Sequence, residues 1–378
     1  MALLEHPVYV LSLLCLLVLL AVLAEKTKWG KPLGAALLAI VFTAVIANLG
    51  LIPSASNSIP LYNGIFTYIA PLSIFYLMLG VNLNAIKKAG LPMIGLFVLG
   101  SFATVGGILL AWFFIAPETQ LGENASTLAG MLTGTYTGGS VNFNAIALEY
   151  DFQEQGALYA GTIAVDNVVT TVWIVVTLAL PRLLRPVWKD KIGSQEGTSD
   201  HQEPEKEGMD LSSLAWLLVL GLVSFYLAEG LSQLFPSIPS ILTLTTIGIL
   251  LAQIKFISRL KGAHTLGLYM VFLFLAVIGA YCEISAVVEL KDIGLTLFLF
   301  TSIAVGIHGL LIILLGGIFY RDWSMIAIAS QANVGGGATA LALAETFGRK
   351  ELMLPAILVG TLGNALGTYL GFLVIQLL

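Results

Sequence analysis

The sequence predicts an all-α polytopic membrane protein, with about 11–13 transmembrane helices in two inverted structural repeats and two crossing discontinuous helices. Three observations predict it. Of 378 residues, 58% are hydrophobic and only 10% are charged, with a mean hydropathy of +0.94; soluble domains carry about a quarter charged residues. Apolar segments of near-spanning length follow one another, six on either side of a single polar stretch. The fifth segment of each half carries a Gly-rich interruption beside hydroxyl and amide side chains.

A protein core cannot absorb this much apolar sequence, so lipid must be its solvent. The net charge of −5 sits mostly in loops and informs topology rather than partners. No basic cluster with interleaved aromatics points to nucleic acid. Cys15 and Cys282 lie in separate apolar runs and form neither a disulfide framework nor a Cys-x-x-Cys motif. The four histidines lack metal-ligand spacing, so no metal site is expected beyond Na⁺.

The first apolar run covers residues 7–24. Glu5 precedes it without any Lys or Arg, which is wrong for a secretory leader. Lys26, Lys28 and Lys31 follow it, so it reads as a retained helix with a cytoplasmic C-terminal end. Further segments fall near 33–52, 61–81, 91–115, 125–149 and 156–180. Together these make a first repeat over 1–181. Residues 182–210 hold Arg182, Arg185, Lys189, Lys191, Glu203, Glu205, Lys206 and Glu207 with Gly and Ser between them. That composition reads as a flexible polar linker, cytoplasmic because its basic residues directly follow a helix. The second repeat, 211–378, has segments near 211–235, 239–254, 264–283, 293–319, 323–345 and 352–377. Helices are required because backbone groups in lipid must pair within their own segment, and the period-two alternation of a membrane barrel is absent.

The halves resemble each other. TGTYTGGSVNFNAIALEY at 133–150 aligns with ASQANVGGGATALALAET at 329–346, and AGTIAVDNVV at 160–169 with VGTLGNALG at 359–367. Allowing a one-residue gap, Asn167 meets Asn364. Basic loops follow the first and third segments but, in the second half, the eighth (Lys255, Arg259, Lys261). That opposite phase argues for inverted repeats, whereas six crossings per half give parallel ones. Both cannot hold. One segment is re-entrant, one crossing is missed, or the charge signal misleads in one half; the inverted phase is preferred.

The Gly-rich interruptions carry the chemistry. Gly costs about 1 kcal/mol against Ala in a helix, so such clusters in mid-membrane favour unwinding. Unwound backbone exposes carbonyls for cations and N–H groups for anions. The bland alternative is close helix packing through small residues. Two clusters at equivalent positions favour a site. Asp166 is the only acid deep inside any segment, and intramembrane carboxylates usually serve ions or protons; the alternative is a protonated structural Asp. Ion binding is assigned to Asn142, Asn144, Asp166, Asn167, Gln331 and Asn333. Solute binding is assigned to Tyr136, Thr137, Gly138, Gly139, Ser140, Ser330, Gly335, Gly336, Gly337 and Asn364. His308 reads as a satisfied interfacial histidine. Glu149, Glu229, Glu283 and Glu345 read as snorkelling or loop residues. Asn124-Ala125-Ser126 matches a glycosylation sequon of the kind that arises by chance. No nucleophile–base pair appears, so no enzyme is expected.

GTYTGGSVNFNA, SQANVGGGATALALAETF and VGTLGNALGTYLG resemble the YjcL-like membrane protein family, a domain of unknown function, over essentially the whole chain. A wider likeness is to the bile-acid/sodium symporter and cation/proton antiporter architecture. It implies two inverted repeats, each with a broken helix, and an acidic or Asn-Asp pair on the helix after the first break. Here the order is reversed, Asp166-Asn167, and each repeat has six segments rather than five. The reading is cation-coupled transport, by Na⁺ or H⁺, of a small polar or anionic organic solute. Its rivals are monovalent cation/proton antiport and a non-transporting scaffold or channel. A cavity for several heavy atoms between the interruptions favours solute transport, and a narrow polar slot favours antiport. The expected partners are the bilayer, the solute and the coupling cation, with a homodimer left open. No cofactor is expected apart from Na⁺ as coupling ion, and the expected location is the plasma membrane.

Overall fold

The computed structural model describes residues 4–30, 33–191, 208, 210–235, 238–282 and 291–378. Among them there is no strand. The principal helices, apart from short turns between them, are α1 Pro7–Glu25, α2 Gly34–Asn48, α3 Pro60–Met78, α4 Leu91–Ile115, α5 Asn124–Gly138, α6 Ser140–Glu149 and α7 Gly156–Leu184. After the linker come α8 Leu211–Leu234, α9 Ser240–Ala252, α10 Ala263–Tyr281, α11 Lys291–Phe319, α12 Trp323–Val334, α13 Gly336–Thr346 and α14 Met353–Leu377. Most of the linker, and Glu283, lie outside the described residues, as does the side chain of Glu345.

Local chemistry sets several boundaries. Proline opens α1 and α3, where its missing N–H costs nothing. Within α3 a π-turn over Ile65–Ile69 precedes Pro71, a residue that cannot donate to the helical ladder. Asp210 caps α8 by accepting from the Ser213 N–H at 2.8 Å and hydroxyl at 2.7 Å, bonds that hold its carboxyl below the ordinary range. Eight helices are long and apolar enough to cross a membrane, and α2 and α9 are shorter apolar helices. Large apolar side chains such as Val8, Phe113, Tyr226 and Phe319 are exposed on the outer surface, as lipid contact requires.

The apolar segments number twelve, as the sequence predicts, but two of them do not cross. Segment five reverses. Gly134 on α5 lies against Asn142 and Ile146 on α6, and Gly130 and Ile146 both lie against Gly371 of α14. Two arms continuing in one direction could not share these neighbours. At a rise of 1.5 Å per residue, residues 134 and 146 of a straight helix stand about 18 Å apart. Segment eleven reverses as well: Gln331 on α12 donates to Thr339 on α13 at 3.0 Å, and Arg349 beyond α13 bonds Asp322 before α12 at 3.1 and 3.0 Å. The expected pair of crossing discontinuous helices is therefore a pair of helical hairpins, and among the described residues ten helices run from end to end of the bundle, eight of them long and apolar enough to cross a membrane. The positive-φ glycine at each tip breaks the helix, and the packing of the second arm decides that the chain turns back, as described below.

The hairpins resolve the conflict over orientation. With one hairpin in each half, both repeats have five crossings, and the second runs opposite to the first. Helices α4 and α11 meet antiparallel across the centre, with Gly95 against Tyr320, Gly100 against Ile312 and Gly107 against Ala304. Packing partners exchange between the halves in the same way. Helix α1 pairs with α2 and α10, as α8 pairs with α9 and α3. The hairpin arm α5 packs on α14, as α12 packs on α7. Helices α1–α3 and α8–α10 form one subdomain, and α4–α7 with α11–α14 form the other.

The chain alternation places Lys26, Lys28, Lys87, Lys88, Arg182, Arg185, Lys189, Lys191, Lys255, Arg259, Lys261, Arg321 and Arg349 at one end of the bundle. Among the described residues, only Lys291 begins a helix at the opposite end. Basic loops that seemed out of phase thus share one face. Single cysteines at Lys88 and Lys261, in a background lacking Cys15 and Cys282, should label from the same side of the membrane. Cysteines at Glu118 and Glu154 should label from the other side. Labelling of positions 88 and 261 from opposite sides would overturn the inverted arrangement.

Candidate functional site

The hairpins enter from opposite ends, and their tips meet near mid-bundle, where α5 packs on α12. At the first tip Gly139 has φ 97° and ψ 178°, a region that is essentially glycine-only. At the second, Gly336 has φ 78°. Neighbouring glycines admit close approach. The backbone of Gly138 abuts that of Gly363, and Gly337 abuts Gly360. A stripe of Gly360, Gly363, Gly367 and Gly371 lets α14 lie against both hairpins.

Polar groups surround the first tip. Asn142 is fully buried. Its Oδ1 accepts from the Thr368 N–H at 3.1 Å and hydroxyl at 2.7 Å, and its Nδ2 donates to the Gly363 carbonyl at 3.3 Å. The Asn364 amide oxygen faces Gly139 across the tip. Tyr136 and Thr137 are buried, and neither hydroxyl has a hydrogen-bond partner. The Tyr136 hydroxyl points towards the Asp166 carboxylate on α7 but stops short of ordinary hydrogen-bond geometry. Thr170 donates to Asp166 Oδ1 at 3.2 Å. Asp166 is half-buried and, among the described residues, forms no ion pair.

At the second tip Ser330, Gln331 and Asn333 are buried. Gln331 accepts from Thr177 at 3.1 Å. Asn333 donates to the Phe97 carbonyl at 3.3 Å and to Ser101 at 3.1 Å, leaving its Oδ1 without a donor. Buried polar groups without partners cost roughly 1–3 kcal/mol each, and three sit at the two tips: the Tyr136 and Thr137 hydroxyls and Asn333 Oδ1.

A continuous chain of hydrogen bonds links the tips. Trp173 Nε1 donates to Ser330 Oγ at 3.1 Å, and Ser330 lies 2.9 Å from His308 Nε2. His308 Nδ1 lies 3.1 Å from the Gly100 carbonyl and 3.0 Å from Thr104, which reaches the Tyr136 carbonyl at 2.9 Å. Because that carbonyl can only accept, the chain is satisfied by a neutral histidine protonated on Nδ1, with the Ser330 hydroxyl donating to Nε2. His308 is therefore not interfacial, as the sequence suggested, but buried between α4, α11 and the second hairpin. The space between the tips, bounded by Thr104, Tyr136, His308 and Val334, is too tight to admit a water-sized sphere.

Of the residues singled out in the sequence, Tyr136, Thr137, Gly138, Gly139, Asn142, Asp166 and Asn364 gather at the first tip. Ser330, Gln331, Asn333, Gly335, Gly336 and Gly337 gather at the second. Ser140 lies exposed at the first tip. Two residues turn elsewhere. Asn144 accepts from Tyr159, and Asn167 donates to the Leu33 carbonyl at 3.3 Å, away from both tips. Sequence reasoning missed Thr104, Trp173, Thr177 and Thr368. A signal did exist: Asp166, Thr170, Trp173 and Thr177 recur at helical spacing and form one polar stripe on α7.

Residues 12–378 match the family described as "Protein of unknown function (DUF819)". The chain belongs to the DUF819 family. It is also similar to the uncharacterized membrane protein YjcL of Bacillus subtilis (strain 168), with 28% identity over 374 residues, covering 92% of this chain and 91% of YjcL. The match takes in both hairpins and all ten crossing helices apart from the first turn or so of α1, so the architecture above belongs to the part of the chain that defines DUF819.

Proposed function

We propose that the protein is a secondary active transporter that couples Na⁺ or H⁺ to a small polar or anionic organic solute by alternating access. One observation carries the reading: two hairpins from opposite ends bring their tips together in mid-bundle, with buried polar groups lacking partners and, among the described residues, a carboxylate without a cationic partner. A carboxylate in a low dielectric must be neutral, paired or solvated. Asp166, the Tyr136 and Thr137 hydroxyls and the carbonyls ending α5 suit a cation or proton. The N–H groups beginning α6 and α13 suit the polar end of a solute. The subdomain of α1–α3 and α8–α10 is the static frame, and the hairpin subdomain moves against it. The basic end is cytoplasmic by the positive-inside rule, in a plasma membrane, and no chemical step is assigned.

Cation/proton antiport is the second reading. The tight packing between the tips favours it, because an ion held by side-chain and backbone oxygens needs far less room to be made there than a solute of several heavy atoms. Proteoliposomes separate the two. Under an imposed Na⁺ or proton gradient, solid-supported-membrane currents that require one member of a panel of small organic solutes support symport. Proton efflux driven by Na⁺ or K⁺ alone supports antiport. Absence of any gradient-driven flux, with either ion and across the panel, would sink transport itself.

A further inference from the structure

At the end opposite the basic residues, the last residue of α6 is Glu149, the loop after it supplies Asp151 and Glu154, and α8 supplies Glu229. All four line one cavity of about 180 Å³, to which no Lys or Arg among the described residues contributes. The other walls come from α3 and from the start of α9. The cavity thus lies between the static frame and the outer end of the first hairpin.

Gln153 supplies an independent observation. It is 4% exposed and lines this cavity. Its Nε2 donates to Asp151 Oδ1 at 3.2 Å, which fixes the amide orientation because a carboxylate only accepts. Its Oε1 is left buried with no donor. An acceptor held in this way, among four carboxylates, calls for a ligand of positive charge. Glu149 commits one oxygen to the Ile241 N–H at 3.3 Å and keeps the other.

The geometry distinguishes between kinds of cation. A metal ion needs several oxygens converging at about 2.0–2.6 Å. Among the described residues no three acidic, His or Cys side chains converge in that way. Two aromatic rings line the cavity instead. Phe66 is held edge-on against Phe274 and Tyr281, and Phe225 against Tyr68. Aromatic faces beside dispersed carboxylates suit an organic ammonium, whose charge is spread over a larger surface. A cavity of 180 Å³ equals about six waters at roughly 30 Å³ each, room for a small ammonium compound.

We infer that this cavity is a binding vestibule for a small organic ammonium ion, formed by Glu149, Asp151, Gln153, Glu154 and Glu229 with Phe66 and Phe225. Of the polar or anionic solutes considered above, it favours polar ones that carry a positive charge and disfavours anionic ones. Its place on a transport path rests on the function proposed above, but its occupancy does not.

The test uses the purified full-length protein in nanodiscs, with tetramethylammonium and choline as probes. Calorimetry at fixed ionic strength should show saturable binding of choline and none of acetate. Asp151→Asn with Glu229→Gln should weaken choline binding at least tenfold; Asn tolerates the left-handed backbone at position 151, where φ is 51°. Glu118→Gln, which removes an exposed acid at the same end, should leave binding unchanged. Unaltered melting temperatures without ligand confirm that the variants fold. Choline heats no larger than those of matched NaCl, or binding that survives the double substitution, overturn the vestibule. Choline binding without gradient-driven flux in proteoliposomes supports the vestibule while sinking the transport reading, and flux without choline binding does the reverse.

Discussion

Proteoliposomes containing Asp166→Asn are expected to lose ion-driven flux entirely, while the variant folds and inserts normally. Asn keeps the size and much of the hydrogen bonding, so Thr170 retains an acceptor. Only the charge is removed. In the native protein that charge faces the Tyr136 hydroxyl beside the first tip, with no Lys or Arg paired to it among the described residues. A cation or proton must then neutralise it for at least part of each cycle. Without the charge the coupling ion loses its strongest ligand, so rates should fall to the level of empty liposomes. Thermal unfolding should shift little, because replacing an unpaired, half-buried charge by a neutral amide relieves desolvation. Normal flux in this variant under the same gradient would make Asp166 structural and remove the proposed mechanism. Thr177→Val offers a contrast, since it removes a donor to Gln331 Oε1 at the second tip without changing charge. It should slow flux without abolishing it.

The largest effect on stability is expected from Gly138→Ala. A Cβ at that position would overlap the carbonyl carbon and oxygen of Gly363. Those are backbone atoms of a long helix and cannot rotate aside as a side-chain tip would. Either the hairpin tip or α14 must move, and overpacking of this kind costs about 3 kcal/mol or more. The variant should melt well below the wild type in detergent, or fail to accumulate. Gly161→Ala is the matched control: it lies on α7 with nothing within 4 Å of the added carbon, so helix propensity alone should make it neutral or stabilising by up to about 1 kcal/mol. Similar melting temperatures for the two variants would mean that α14 does not clamp the first hairpin as described.

Much of this was legible in the sequence, and the missing parts have definite physical causes. Composition and segment length were sufficient for an all-helical membrane protein, and paired glycine clusters located both tips. What glycines cannot announce is direction. A positive φ at Gly139 or Gly336 ends a helix equally well whether the chain continues or turns back. The outcome is decided by what the second arm packs on, here the glycine stripe of α14 more than 220 residues away in the chain. The arms of the first hairpin, 15 and 10 residues long, add up to one apparent crossing. The basic loops held the clue, because their opposite phase is satisfied only if each half has an odd number of crossings. Within the site, Asp166 was readable as a lone intramembrane acid. Asn167 misled because adjacent residues on a helix point about 100° apart, so it faces α2 while Asp166 faces the tip.

The grip of α14 on the first hairpin bears on how the protein is made. Domains generally fold as units during synthesis, N-terminal first. Here the first hairpin cannot settle when its own half is complete. The surface that receives Gly130, Gly134, Gly138 and Asn142 is spread over Gly363–Gly371, which leaves the ribosome only with the last helix. Until then a segment rich in hydroxyls and glycine must wait in or beside the bilayer with its backbone contacts unmade. The first half of the site is thus among the last parts of the molecule to form. A ribosome-stalled nascent chain ending before residue 353 would carry both arms of the first hairpin without the surface that seats them.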